Sequence, residues 1–483
     1  MNIVMVTFEL APIAKVGGLA DVAAALSREL ARRGHAVRVV LPAYGHLELA
    51  AAGLEPVPGL PVLPLRAGQR VQPVRLLRSE SLLDGVEVFA VDCPPLFRRP
   101  GIYGSPDGRD FADSLERASV VAQAALVLPL VLQWPVDVLH CHDVQGGLAA
   151  VYRRRWHGPD LPGRGGTLLT IHNLAHQELR PPDGMSALDL PQELAQWPGP
   201  FEFHGSMNTL KGAILHADLV NTVSPSYARE VVGDPAHGHG LDGVLASRGE
   251  DFSGILNGAD YATWSPANDP LLPARYDSDD LAGREACRVA LTRELGLDPG
   301  TMVVGMVTRL YSQKGVDLVL TACDRMVAEG MSLVVLGSGD AVMEAGLRRA
   351  AERHPRRVAF SPRFDEPLAH RIYAGADVFL MPSAFEPCGL SQMYAMRYGT
   401  PPVVRATGGL RDTVVDASEP EGTGFVFWDQ SADAMLAALQ RARVMREDAK
   451  AWEALVRRGM AQRFDWSRAA DRYEELYGRL ATR

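Results

Sequence analysis

A chain of 483 residues is too long for one hydrophobic core and predicts two domains of moderate size. With 47% apolar and 22% charged residues, both domains can bury real cores, and the net charge of −9 argues against nucleic acid or an anionic membrane as the main partner. Cys93, Cys141, Cys287, Cys323 and Cys388 are scattered and form no CxxC pair, which argues against a disulfide framework or a zinc site and fits a reducing cytosol.

Met1 to Thr7 runs straight into a strand with no room for a signal peptide, so the expected location is cytoplasmic. After the Ile3–Thr7 strand comes a loop, and then Leu19, Val22, Ala23, Leu26 and Leu30 recur at helical spacing. Gly34 closes that helix and Val37 to Leu41 makes the next strand, giving a βαβ unit. The loop carries Lys15-Val16-Gly17-Gly18 just before the helix: glycines for close backbone approach, free N–H donors and a positive charge. Alone this is a weak signal, because Gly-Gly turns are common at strand–helix junctions.

Glu55 to Pro73 and Pro94 to Asp110 read as irregular. The apolar region from Ser119 to Val136 is broken by Gln123, Pro129, Gln133 and Pro135, and reads as a buried helix leading to a strand rather than a membrane span. That strand ends in His140-Cys-His-Asp143. The two histidines share a side, but no third ligand lies at a natural spacing, so hydrogen bonding is expected of them rather than metal binding. Strands Thr167–Ile171, Ala217–Val223 and Phe252–Leu256 stop at His172-Asn173, Ser224-Pro225 and Asn257-Gly258, so polar residues gather at the carboxyl ends.

The Pro-, Asp- and Ala-rich stretch from Asp260 to Gly283 places a domain junction at or just before it, and its Asp277-Ser-Asp279 reads as capping rather than a metal-holding DxD. A second α/β series follows. Met302–Val307 exits into Arg309 and Lys314-Gly315. Leu333–Leu336 exits into Gly337-Ser-Gly339, where Val342 stands in place of a third dinucleotide-type glycine and no ribose-binding acid follows. Val378–Met381 exits through Pro382-Ser383 to Glu386 and a Pro-Cys-Gly turn, and Pro402–Arg405 exits into Thr407-Gly-Gly-Leu410. Trp466 and Ser467 open the last helix. Glycine-rich helix starts in both halves, with Arg309 and Lys314, suit a diphosphate: Arg as a planar multi-donor, Lys as a compact charge.

These residues carry a family resemblance. Lys15-Val-Gly-Gly-Leu-Ala-Asp-Val22 resembles the KTGGLADV signature of bacterial and plant glycogen/starch synthases. So do His140–Asp143, Thr170–Ala175, Thr222–Ala228, Gly254–Asp260, Arg309–Gly315, Met381–Gln392 and Thr407–Val414. The match is collinear from the first strand to the last helix. It implies an α/β protein with two Rossmann-like domains facing a deep cleft, the GT-B glycosyltransferase architecture. The implied domains are 1–260, an acceptor and catalytic domain, and 261–465, an ADP-glucose-binding domain, with a terminal helix, 466–483, returning to the first.

The activity the resemblance implies is retaining transfer of glucose from ADP-glucose to the non-reducing end of an α-1,4-glucan, with no cofactor and no metal. UDP-glucose as donor, maltose-1-phosphate formation and a non-catalytic glucan-binding relative are the alternatives. In the matching positions Arg309 and Lys314 hold the diphosphate, helped by Thr407, Gly408, Gly409 and Gly18, while Lys15 and Asp21 bind the sugar nucleotide from the first domain. Glu386, with the Cys388 and Gly389 backbone, orients the glucose hydroxyls, and His142 and Asn257 lie against the glucose. Phe364 stands where the family places an aromatic against adenine, and Tyr103, Asn173 and Gln392 are further cleft residues. The chain departs from the family at Val16 for Thr, at Val144-Gln145 for Trp-His, and at His176 and Glu178 for Tyr and Gly, the last two on the acceptor side. Tyr394 stands where many related transferases carry a second glutamate, as expected in this subgroup.

Overall fold

The computed structural model describes residues 1–105, 109–157, 165–363 and 365–481. It divides into two compact units: Met1–Gly258 together with the final helix, and Ala259–Asp465.

In the first unit, strands β1 (Asn2–Val6) and β2 (Ala36–Pro42) flank helix α1 (Gly18–Arg32). The hairpin β3 (Arg70–Leu83) and β4 (Val86–Asp92) follows, then helix α2 (Ser114–Val131), strand β5 (Val138–His142) and helix α3 (Asp143–Tyr152). Strand β6 (Gly166–Ile171), helix α4 (Thr209–His216) and strands β7 (Leu219–Thr222) and β8 (Phe252–Gly254) complete the series. The strand order is β8-β7-β6-β5-β1-β2-β4-β3, parallel from β8 through β4 and antiparallel at β3. Strands covered on both faces read as apolar runs, and Ile3, Val4, Met5, Val6 and Val138 are fully buried. Helix α1 buries Leu19, Val22, Ala23, Leu26 and Leu30 and ends at Gly34, whose φ of +90° suits a residue without a side chain. Helix α2 is long and apolar enough to cross a membrane by composition, but 72% of it is buried within the fold.

The second unit begins with helix α5 (Ala282–Glu294). Strand β9 (Met302–Val307), helix α6 (Val316–Ala328), strand β10 (Met331–Leu336), helix α7 (Ala341–Arg353) and strand β11 (Val358–Ser361) follow. Helix α8 (Glu366–Gly375), strand β12 (Val378–Met381), helix α9 (Ser391–Arg397), strand β13 (Pro402–Arg405), helix α10 (Gly408–Thr413) and strand β14 (Phe425–Phe427) complete its sheet. All six strands are parallel, in the order β11-β10-β9-β12-β13-β14. That is the doubly wound order, reversing between β9 and β12.

Helix α11 (Trp466–Ala481) belongs to the first unit. Its Leu480 packs on Gly166, where a Cβ would meet Leu480 Cδ2 at 2.7 Å, and its Asp471 and Glu474 pair with Arg33 at 2.6 and 2.7 Å.

The stretch from Glu55 to Pro73 is more regular than its prolines suggest. Leu63–Ala67 forms a strand that pairs with β3, and Pro64 sits opposite Pro73. Both prolines are exposed while Leu63, Leu65 and Val74 are buried, so the alternation, not the proline count, decides the structure. Asp277 acts as a turn cap, its Oδ1 accepting the Asp279 and Asp280 amides at 2.8 and 2.9 Å. Gly337 packs so closely that a Cβ would fall 1.8 Å from the Thr308 carbonyl, so this glycine pair serves strand packing.

Candidate active site

In the second unit, polar residues converge where the strand order reverses, between the carboxyl ends of β9 and β12. Lys314 ends a short turn after β9, and its Nζ donates to both oxygens of Glu386 at 2.9 and 2.7 Å. Ser383 adds a hydrogen bond to Glu386 Oε2 at 3.0 Å, and Glu386 is only 6% exposed. A buried carboxylate is tolerated because a cation and a hydroxyl together satisfy it. The surrounding loop is braced by Gln313, which bonds the Phe385 carbonyl and the Ala384 amide, and by Arg405, which donates to the Ala384 carbonyl. Arg309 is exposed beside β9, its guanidinium 5.8 Å from the Tyr311 ring.

The glycine turn after β13 is packed onto this loop. The Gly409 amide donates to the Glu386 carbonyl at 3.0 Å, Gly408 has a φ of +46°, and Thr407 is the residue before helix α10. A Cβ on Gly408 would lie 1.9 Å from the Glu386 oxygen and one on Gly409 2.1 Å from the Cys388 oxygen. Gly389 takes a φ of +72°. Gln392 points its Nε2 back into the turn, donating to the Cys388 and Gly389 carbonyls and to Thr413 at 3.1, 2.8 and 3.1 Å. It is thus a brace for Cys388 and Gly389. Phe364 lies outside the described residues.

In the first unit the strand order reverses between β1 and β5, and the polar residues again collect there. After β1, Lys15 pairs with Asp21 at 2.8 Å, both partly exposed, and Gly18 opens helix α1 with no atom within 4 Å of where a Cβ would be. Tyr103 donates its hydroxyl to Glu9 Oε1 at 2.9 Å, and Glu9 Oε2 accepts the Val16 and Gly17 amides, each at 2.7 Å.

At the end of β5, His142 is 1% exposed and its Nδ1 lies 3.0 Å from His172 Nε2, just past β6. Burial pulls His142 well below its usual value and His172 down to about 3, so both rings are neutral and one donates to the other. Asp143 adopts a left-handed φ of +53°, and its Oδ1 accepts the His172 amide at 2.6 Å. Burial pushes Asp143 up to about 6. His140 lies beneath, held by Thr170 at 2.7 Å and by Tyr477 of helix α11 at 2.9 Å. This is the hydrogen-bonding role expected of the pair, and no group of three or more metal-ligating side chains converges among the described residues. Asn173 caps its own turn through the Ala175 amide at 3.1 Å. Asn257 is buried past β8, and its Oδ1, like His142 Nε2, has no partner among the described residues.

Glu9, Asp143 and His172 were missed as site residues. The signal for His172 was present, since it ends β6 as His142 ends β5. Glu9 gave none, because its partners lie 7, 8 and 94 residues away.

Residues 2–247 match the family described as starch synthase catalytic domain, and residues 290–457 match glycosyl transferases group 1. A glycogen synthase of Anaeromyxobacter dehalogenans (strain 2CP-1 / ATCC BAA-258) is 47% identical, covering 100% of this chain and 99% of its own. One from Thioalkalivibrio sulfidiphilus is 44% identical over 100% of both. The catalytic domain of starch synthase IV from Arabidopsis thaliana, bound to ADP and acarbose, superposes with a TM-score of 0.90 at 32% identity, covering 100% of this chain and 99% of that one. Sucrose-phosphate synthase from Thermosynechococcus elongatus, at a TM-score of 0.63 and 18% identity over 99% and 98%, shares the fold alone. Two doubly wound units with these matches make a glycosyltransferase of the GT-B class. The chain belongs to the glycogen and starch synthase family.

Proposed function

We propose that the chain elongates an α-1,4-glucan, moving glucose from ADP-glucose to the non-reducing end with retention at the anomeric carbon. The observation that carries this reading is the Lys314–Glu386 pair at the switch point, beside the Thr407–Gly409 turn. A cation beside a tight glycine turn at a switch point suits a diphosphate, and a fixed carboxylate suits sugar hydroxyls.

In this reading the bond between glucose C1 and the β-phosphate oxygen breaks as the glucan 4-hydroxyl bonds to C1 on the same face and passes its proton to the departing phosphate oxygen. Arg309 and Lys314 take up the charge of the departing ADP beside the Thr407–Gly409 turn, with Gly18, Lys15 and Asp21 acting from the first unit. Glu386 orients the glucose with the Cys388 and Gly389 backbone, and it serves as an electrostatic and hydroxyl-binding group rather than a nucleophile. His142 and Asn257, with buried polar atoms lacking partners, contact the glucose, and Asn173 and His172 line the same place. In this reading Arg309 and Lys314 bring the positive charge that a metal would otherwise supply, and the enzyme works in the cytoplasm with no membrane or nucleic-acid partner.

The test is transfer of labelled glucose from ADP-glucose or UDP-glucose, with the product identified as extended glycogen or maltose-1-phosphate. Glycogen labelled from ADP-glucose is expected. Labelling from UDP-glucose alone, or label confined to maltose-1-phosphate, would overturn the assignment.

A further inference from the structure

The loop from Glu9 to Gly18 is a built device rather than a plain turn. Leu10 and Ala14 exchange both backbone hydrogen bonds at 2.8 Å, which folds Lys15, Val16 and Gly17 back over the start of the loop. There they meet Glu9, only 4% exposed, whose Oε2 takes the Val16 and Gly17 amides and whose Oε1 takes the Tyr103 hydroxyl. No cation pairs with Glu9 among the described contacts. The residues preceding both partners are fixed as well. The Phe8 carbonyl accepts the Tyr44 hydroxyl at 2.8 Å, and the Ile102 carbonyl accepts Arg117 Nη1 at 2.8 Å. Arg117 is itself buried, 5.3 Å from the Phe97 ring and 4.7 Å from Phe111.

A glycine turn before a helix offers several amides to an anion. Here two of them are already spent on an internal carboxylate. Gly18, the next residue, is exposed, with no atom within 4 Å of where a Cβ would stand. We propose that Glu9 is a positioning residue for donor binding: it consumes the Val16 and Gly17 amides and locks the turn so that the amides from Gly18 onward face the donor phosphates. Tyr103 acts through Glu9. The inference rests on the sugar-nucleotide reading above and adds to it a residue that touches no substrate.

The shape of the network predicts an unusual pattern of variants. Glu9→Ala leaves two amides without their acceptor and frees the turn. Glu9→Gln keeps one oxygen for both amides, and its Nε2 can donate to Tyr103 once that hydroxyl turns to accept. With ADP-glucose and glycogen as substrates, Glu9→Ala is expected to raise the donor KM by about tenfold or more with the glycogen KM unchanged, and Glu9→Gln to restore most of the loss. An unchanged donor KM in Glu9→Ala, an equal rise in both KM values, or a Glu9→Gln as damaged as Glu9→Ala would each overturn the inference. Should Glu9→Ala fail to fold, the Glu9→Gln/Tyr103→Phe double variant decides. It leaves Nε2 without a partner, so its donor KM is expected at about fivefold or more above Glu9→Gln, and equality of the two refutes the proposal. Wild-type protein inactive with ADP-glucose would instead refute the functional reading, so the two failures are distinct.

Discussion

Gly408→Ala is the sharpest test of how the second unit's site is assembled. The added Cβ would lie 1.9 Å from the Glu386 carbonyl oxygen, whereas real Cβ contacts essentially never fall below 3.0 Å. The loop carrying Glu386 must therefore retreat by about 1.1 Å, since the atoms it meets are backbone rather than the end of a flexible side chain. The φ of +46° adds strain of about 1–2 kcal/mol for a residue with a side chain. Misplacement by about 1 Å costs roughly 10²-fold in rate, so kcat for glucose transfer to glycogen should fall by about that factor. Initial rates together with a thermal melt measure both effects. A folded Gly408→Ala whose kcat stays within about threefold of wild type would refute the reasoning. The companion Gly18→Ala meets no atom within 4 Å, so its melting temperature should not change while its donor KM rises.

Lys314→Ala leaves Glu386 buried without its cation, and kcat should drop about 10²–10³-fold; near wild-type turnover would remove Lys314 from the mechanism. Glu386→Ala should lower turnover while the fold persists, which circular dichroism and initial rates check together. Stability should also fall as pH drops from about 6.5 toward 3. His172 is held down to about 3 when folded and takes up a proton near 6.5 when unfolded, so acid favours the unfolded chain, by about 5 kcal/mol across that window. Asp143 works in the opposite sense between about 4 and 6, because its folded value is raised to about 6, and it offsets part of the loss. Denaturant titrations at pH 7.5 and 5 test the net sign, and a protein more stable at pH 5 would contradict it.

Much of this was legible in the sequence because strand exits and glycine turns are local features. Lys314, Glu386 and the Thr407–Gly409 turn each announce themselves within a few residues of a strand end, and the doubly wound order brings those ends together. Gln392 illustrates the limit. Its place on helix α9 beside the site was readable, but which way its amide points is set by the Cys388 and Gly389 carbonyls. Glu9 and Tyr103 lie 94 residues apart, and only the tertiary fold joins them. The Leu63–Ala67 strand was hidden for a different reason, since the exposed prolines Pro64 and Pro73 disguised a good alternation.

In the proposed mechanism side chains and amides, rather than a bound cation, absorb the charge of the leaving ADP. The direct measurement is incorporation of labelled glucose from ADP-glucose into glycogen after exhaustive treatment with a divalent-metal chelator. The rate should equal that of untreated protein. A rate that falls to background and returns on adding magnesium or manganese would contradict the mechanism.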